Sequence, residues 1–119
     1  MMPAQVTASG KVLLANLPEA ELDEILARPV TPLTRRTKTS ATAIRKELRQ
    51  IAARGWALND EESEVGLRAV AVLAPAERTG IGIDAAITVA GPAERMDAKH
   101  VDRIAEVLTS EIAAFSPLR

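Results

Sequence analysis

The chain has 119 residues, 47% of them apolar, with a net charge of −1 and a pI near 5.9. That is the size of one domain, and about two-thirds of its unfolded surface would be buried on folding. The charge balance speaks against a general nucleic-acid binder, which needs a concentrated basic face, and two aromatic rings, Trp56 and Phe115, are too few for a base-stacking platform.

No apolar run approaches the roughly 20 residues of a membrane span. The opening Met-Met-Pro-Ala-Gln-Val-Thr-Ala lacks the charged and apolar regions of a signal peptide. The absence of Cys excludes disulfides and thiolate metal sites. A cytoplasmic protein of one domain, residues 1–119, is the expectation.

The first helix is expected over residues 7–16, capped by Thr7 and carrying Val12, Leu13 and Leu14 on its apolar side. Gly10 is costly inside a helix, by about 1 kcal/mol relative to Ala, which places it in the first turn where a backbone or a ligand comes close. Pro18 suits the first position of a second helix, with Glu19 and Glu21 favoured by the dipole and Leu22, Ile25 and Leu26 as its stripe. Pro29 and Pro32 end it. Residues 30–39 form a polar, basic connection. A third helix follows, with Ser40 as N-cap, Ile44, Leu48 and Ile51 as its stripe and Gly55 as its left-handed terminator.

The stretch from Gly55 to Pro92 reads as the sheet. Trp56 to Leu58 is a short strand leading into an acidic turn, Asn59 to Glu64. Val65 to Ala74 is almost wholly apolar, as suits a strand covered on both faces. Pro75 to Gly80 is a hairpin-like connection. From Ile81 to Val89 the odd positions (Ile81, Ile83, Ala85, Ile87, Val89) are expected in a core, leaving small or polar residues on the other face. The last helix opens at Asp97, with Met96 and Val101 as a hydrophobic staple and a stripe of Val101, Ile104, Leu108, Ile112 and Phe115 up to Ser116-Pro117.

Catalysis finds little support in these residues. His100 sits in a first helical turn, where a solvated side chain is the simpler reading than a general base, and no base is placed by motif to activate Ser9. Ala-Ser-Gly-Lys lacks the spacing of a phosphate-binding loop. Asp60, Glu61, Glu62 and Glu64 lack the ligand pattern of a calcium loop, and a solvated acidic turn explains them more simply. Arg35, Arg36 and Lys38 either face a carboxylate ligand or nucleic acid or belong to a solvated loop. Asp84 and Thr88 would need partners if buried, from neighbouring backbone or from a pocket.

Thr-Ala-Ser-Gly-Lys-Val-Leu-Leu-Ala (7–15), Leu-Pro-Glu-Ala-Glu-Leu (17–22), Arg-Arg-Thr-Lys-Thr (35–39), the run from Gly55 to Val72 and Ala-Ala-Ile-Thr-Val-Ala-Gly-Pro-Ala-Glu-Arg-Met (85–96) together resemble the effector-binding domain of IclR-type bacterial transcriptional regulators. Arg-Arg-Thr and Gly-Leu-Arg-Ala-Val-Ala-Val look most like the branch that controls aromatic-acid catabolism. The resemblance implies an α+β, GAF/PAS-like fold, an antiparallel sheet flanked by helices, with a pocket for a small organic acid and association into dimers or tetramers. It covers the later part of that domain, which implies a sheet incomplete at its N-terminus and no direct DNA contact, because the winged helix-turn-helix is not represented.

By the same resemblance the ligand-binding residues are Ala8, Ser9, Gly10, Asn59, Leu67, Ala69, Thr88 and Ala90. Asn59 stands where the family has Asp and Ala90 where it has Ser, so one charge and one hydroxyl are missing while Thr88 keeps its own. The resemblance implies no cofactor, metal or catalytic residue. A rival expectation is a pure association module, pairing through an exposed sheet edge with itself or with an intact regulator.

Overall fold

The computed structural model describes residues 3–114; Phe115 and Ser116-Pro117, the expected end of the last helix, lie outside them. The described chain runs from a 3-10 turn (Ala4–Val6) into α1 (Ala8–Leu14), α2 (Glu19–Leu26), α3 (Ala41–Arg54), β1 (Trp56–Asp60), β2 (Leu67–Ala74), a one-turn α4 (Ala76–Thr79), β3 (Ala85–Pro92), a second 3-10 turn (Ala93–Arg95) and α5 (Ala98–Ala114). The fold is α+β: the strands form one antiparallel sheet in the order β1-β2-β3, with helices on both faces.

Helix boundaries follow local chemistry. The Thr7 hydroxyl accepts from the Gly10 amide at 3.0 Å, and the Ser40 hydroxyl accepts from the Ala43 amide at 3.3 Å, so each satisfies an otherwise unpaired N–H at a helix start. Gly55 ends α3 at φ +89°, a conformation that a Cβ would strain. Pro18 precedes α2 as its cap rather than standing at its first position.

The register sets which side chains share a face. Trp56 and Leu58 lie beside Val72 and Val70, which lie beside Ile87 and Val89. Opposite them, Ala57, Asn59, Ala69, Ala71, Thr88 and Ala90 point to the other face. This second face carries the main core: Ala57, Ala69 and Ala71 pack under Ala8 and Val12 of α1 and Ile44, Leu48 and Ile51 of α3, with Leu22 and Leu26 of α2. On the first face, α5 sets Val101 and Ala105 against Val70, Trp56 and Leu58, and Met96 joins Val101 there as its staple partner.

β2 is covered on both faces, as its apolar run requires, but it begins at Leu67, and Val65 stands exposed in the turn before it. The third strand departs further from expectation. Ile81 and Ile83 precede it and are 68% and 62% exposed, because Gly80 and Gly82 take left-handed φ values of +76° and +78° that no strand accommodates. Ile87 and Val89 remain 41% and 38% exposed, since α5 crosses β1 and β2 without covering β3. The odd positions of this strand are therefore not buried in a core. The residue of β3 that does pack into one is Ala86, on the α1 side.

Candidate functional site

The sheet positions among the expected ligand-binding residues fall on one face. Asn59, Ala69 and Ala90 form one row across all three strands, Thr88 stands beside Ala71, and Leu67 lies two residues before Ala69 in β2. That face is the one on which α1 lies, against both β2 and β3. Ala8 is buried, Ser9 and Gly10 are partly exposed, and Thr88 and Ala90 are exposed. The close neighbour of Gly10 is backbone: a Cβ there would come within 2.4 Å of the Ala4 carbonyl oxygen. Asn59 is buried and engaged in its own turn, its Oδ1 accepting from the Glu62 amide at 2.9 Å and its Nδ2 donating to the Ser63 hydroxyl at 2.8 Å.

One residue that the sequence reading passed over dominates the electrostatics beside this face. Lys11, on α1, is 1% exposed and donates to Glu62 Oε1 at 2.7 Å, Glu47 Oε2 at 3.0 Å and the Leu58 carbonyl at 3.0 Å. Its signal was available: position 11 lies on the helix face of Ala8 and Ala15, where a charge demands a buried partner.

The basic connection and the acidic turn, read separately as loops, close on each other. The Thr34 hydroxyl donates to the Glu61 carbonyl and the Thr37 hydroxyl to the Glu62 carbonyl, each at 2.6 Å. Arg36 pairs with Asp60 at 2.8 Å, and Lys38 reaches both Glu62 and Glu47, at 3.3 and 3.4 Å. Burial works to lower the pKa of Lys38, but Glu47 and Glu62 outweigh it and hold the ammonium above its ordinary value. Arg68 closes the other end, bonding Asp60 at 2.7 Å and the Ala93 and Met96 carbonyls at 2.9 Å; the bond to Asp60 raises its pKa.

Among the described residues no group of three His, Cys, Asp or Glu side chains is placed to hold a metal ion. His100 is exposed and its Nδ1 lies 3.0 Å from Asp97, the cap whose carboxylate also accepts from the His100 amide; that backbone bond holds Asp97 below its ordinary pKa. Asp84 precedes β3, where it accepts from the Ala76 amide at 2.7 Å and from Asn16 Nδ2 at 3.1 Å. A mixed-charge cleft of about 440 Å³ lies between α3 and the acidic turn, lined by Lys38, Lys46, Glu47, Arg54 and Glu62 among others. A second, of about 240 Å³, lies between β1 and the start of α5, under Trp56, Arg68 and Val101. Neither is lined by any of the eight expected ligand-binding residues.

The described residues thus form an antiparallel sheet with helices on both faces and small residues gathered under α1. Residues 1–116 match the family model of the bacterial transcriptional regulator IclR C-terminal domain, and the chain belongs to that family. It is 44% identical over 72 residues to the HTH-type transcriptional regulator XynR of Escherichia coli, covering 60% of this chain and 29% of that protein. It is 32% identical to the Pca operon regulatory protein of Acinetobacter baylyi over 84% of this chain and 36% of that protein. Across the first five curated relatives the chain spans between 25% and 37% of their length.

The solved structures agree. The C-terminal domain of the E. coli regulator KdgR superposes with a TM-score of 0.79 at 31% identity, covering 93% of this chain and 67% of that one. A double mutant of the inducer-binding domain of the PobR transcription factor from Acinetobacter, in complex with 3-hydroxybenzoic acid, superposes with a TM-score of 0.83 at 25% identity, over 94% of this chain and 64% of that one. The described residues contain no helix long and apolar enough to cross a membrane.

Proposed function

We propose that this chain is the effector-binding and oligomerisation domain of an IclR-type transcriptional regulator, that its effector is a small organic acid, aromatic or derived from an aromatic acid, and that it performs no catalysis and makes no DNA contact of its own. The observation that carries the reading is the common face of Asn59, Leu67, Ala69, Thr88 and Ala90, opposed by Ala8, Ser9 and Gly10 at the start of α1, in a chain of the IclR family. Small side chains on a strand face let a helix or a ligand come close; here α1 takes the part over Ala69 and Ala71, and Thr88 and Ala90 remain exposed beside it. The Thr88 hydroxyl and the Ala8 and Ser9 N–H groups at the start of α1, where Thr7 already takes the Gly10 amide, are the donors offered to a carboxylate. The Acinetobacter PobR inducer-binding domain, solved as a double mutant with 3-hydroxybenzoic acid, supports an aromatic acid as effector.

Binding of 3-hydroxybenzoate and of aliphatic mono- and dicarboxylates, followed by titration calorimetry, tests the assignment. A neutral-to-charged hydrogen bond is worth about 1.5–3 kcal/mol, so Thr88→Val should weaken the affinity of whichever acid binds by roughly tenfold or more. An unchanged affinity in both Thr88→Val and Ser9→Ala would remove these residues from the site. The second reading, an association module that pairs with itself or with an intact regulator without taking a ligand, is favoured by the exposure of Ile87 and Val89 on β3.

A further inference from the structure

The guanidinium of Arg54, the last residue of α3, is fixed from two sides. Its Nε donates to the Trp56 carbonyl at 2.8 Å, and its Cζ lies over the Trp56 ring, 3.8 Å from the centroid. Both contacts leave the Nη groups free to donate, and these meet no acceptor among the described residues. Partial burial lowers the Arg54 pKa, and the attraction of Glu47 and Asp102 does not restore it. A positioned fork with unused donors is the form in which Arg recognises carboxylates and phosphates.

Arg54 lines the cleft of about 440 Å³ between α3 and the acidic turn. Lys46 and Gln50 precede it there at one-turn intervals, so the three share a face of α3. Both are exposed and make no hydrogen bond or ion pair among the described residues. The carboxylates of the cleft are already engaged. Glu47 and Glu62 are taken by Lys11 and Lys38, and Asp60 by Arg36 and Arg68. Lys46 and Arg54 are therefore positive charges of the lining with no ion pair of their own among the described residues. Asp102, the other carboxylate that acts on Arg54, stands on α5 and lines the neighbouring hollow instead. No strand can add over the cleft, because side chains already take the outward groups of β1. Arg54 meets the Trp56 carbonyl, Lys11 the Leu58 carbonyl, and the Glu62 carboxylate the Asp60 amide.

We propose that this cleft is a second binding site, for a small phosphate monoester, in which Arg54 and Lys46 match the two charges of the dianion and Gln50 donates between them. A phosphoryl group carries three acceptor oxygens on one atom, which suits a guanidinium fork, an amide and an ammonium drawn from three consecutive turns. A cleft of about 440 Å³ exceeds what a bare phosphate fills and falls in the range of small-molecule sites, so the organic body lies beside Ala43 and Leu58. None of the residues proposed to hold the organic acid lines this cleft. The site therefore goes beyond the effector reading and does not depend on it.

Titration calorimetry at neutral pH tests the site, with ribose 5-phosphate as the probe and inorganic phosphate, ribose and succinate beside it. Trp56 is the one Trp of the chain, so its fluorescence reports the cleft as Arg54 shifts on its ring. The expected result is saturable binding of ribose 5-phosphate with a change in Trp56 emission, weaker binding of inorganic phosphate, and none of ribose. Arg54→Gln and Lys46→Gln should each weaken the affinity by about tenfold or more, as loss of a hydrogen bond to a charged group does. Arg49→Gln removes the same charge from an exposed position of α3 outside the cleft and should leave the affinity unchanged. No saturable binding of ribose 5-phosphate would overturn the site, as would binding that survives both Arg54→Gln and Lys46→Gln. Succinate binding more tightly than ribose 5-phosphate would overturn the phosphoryl assignment. Each of these results leaves the effector reading untouched.

Discussion

Lys11 shows how much of this fold turns on one buried charge. An ammonium has three N–H donors, and the three acceptors around Nζ, from Glu62, Glu47 and the Leu58 carbonyl, use all of them. Removing one partner of a buried pair leaves the other charge uncompensated at a cost of about 3–5 kcal/mol. Lys38 still reaches Glu62, so Lys11→Met should fall at the low end, about 3 kcal/mol in urea unfolding. Glu62→Gln added to Lys11→Met should cost less than the sum of the two by about 1 kcal/mol or more; additive effects would mean that the pair is not coupled. Gly10 is as constrained but sterically: Gly10→Ala drives a Cβ into the Ala4 carbonyl and should destabilise by about 1–3 kcal/mol by the same measurement, whereas an unchanged midpoint would show that the 3-10 turn moves aside.

Among the elements, α3 was legible because its stripe, its Ser40 cap and its Gly55 terminator all agree, and each signal spans only a few residues. β3 was misplaced at its start because Ile-Gly-Ile-Asp continues the alternation of Ile87 and Val89 while the left-handed Gly80 and Gly82 forbid a strand there. The closure of the 30–39 connection on the acidic turn was illegible for a different reason: Arg36 and Asp60 are 24 positions apart, and no local pattern links them. The pairing of Lys38 with Glu47 and Glu62 gives the clasp a pH dependence. Lys38 is raised above 10.5, so its contribution is fully present below pH 10.5 and is lost as pH rises through the shifted value. The stability difference between the wild type and Lys38→Met should therefore hold constant from neutral pH up to 10.5 and shrink above it, in urea titrations at stepped pH. A difference that grows with alkalinity would contradict the pairing.

At the scale of the whole molecule, the helical layer of α1, α2 and α3 and the single helix α5 cover unequal shares of the sheet, and this inequality leaves Ile87 and Val89 of β3 exposed on the α5 side. Overall architecture was readable because periodicity and caps specify elements, and the ordered motifs specify the family. The common face of Asn59, Leu67, Ala69, Thr88 and Ala90 depends instead on strand register, which the misplaced start of β3 obscured.

Thermal unfolding against a panel of aromatic and aliphatic carboxylic acids tests the central claim most directly. An acid at 100 times its dissociation constant should stabilise the native state by about 2.7 kcal/mol, and the account predicts a selective rise in midpoint that Thr88→Val diminishes. A cooperative transition that no acid in the panel moves would contradict effector binding by this chain.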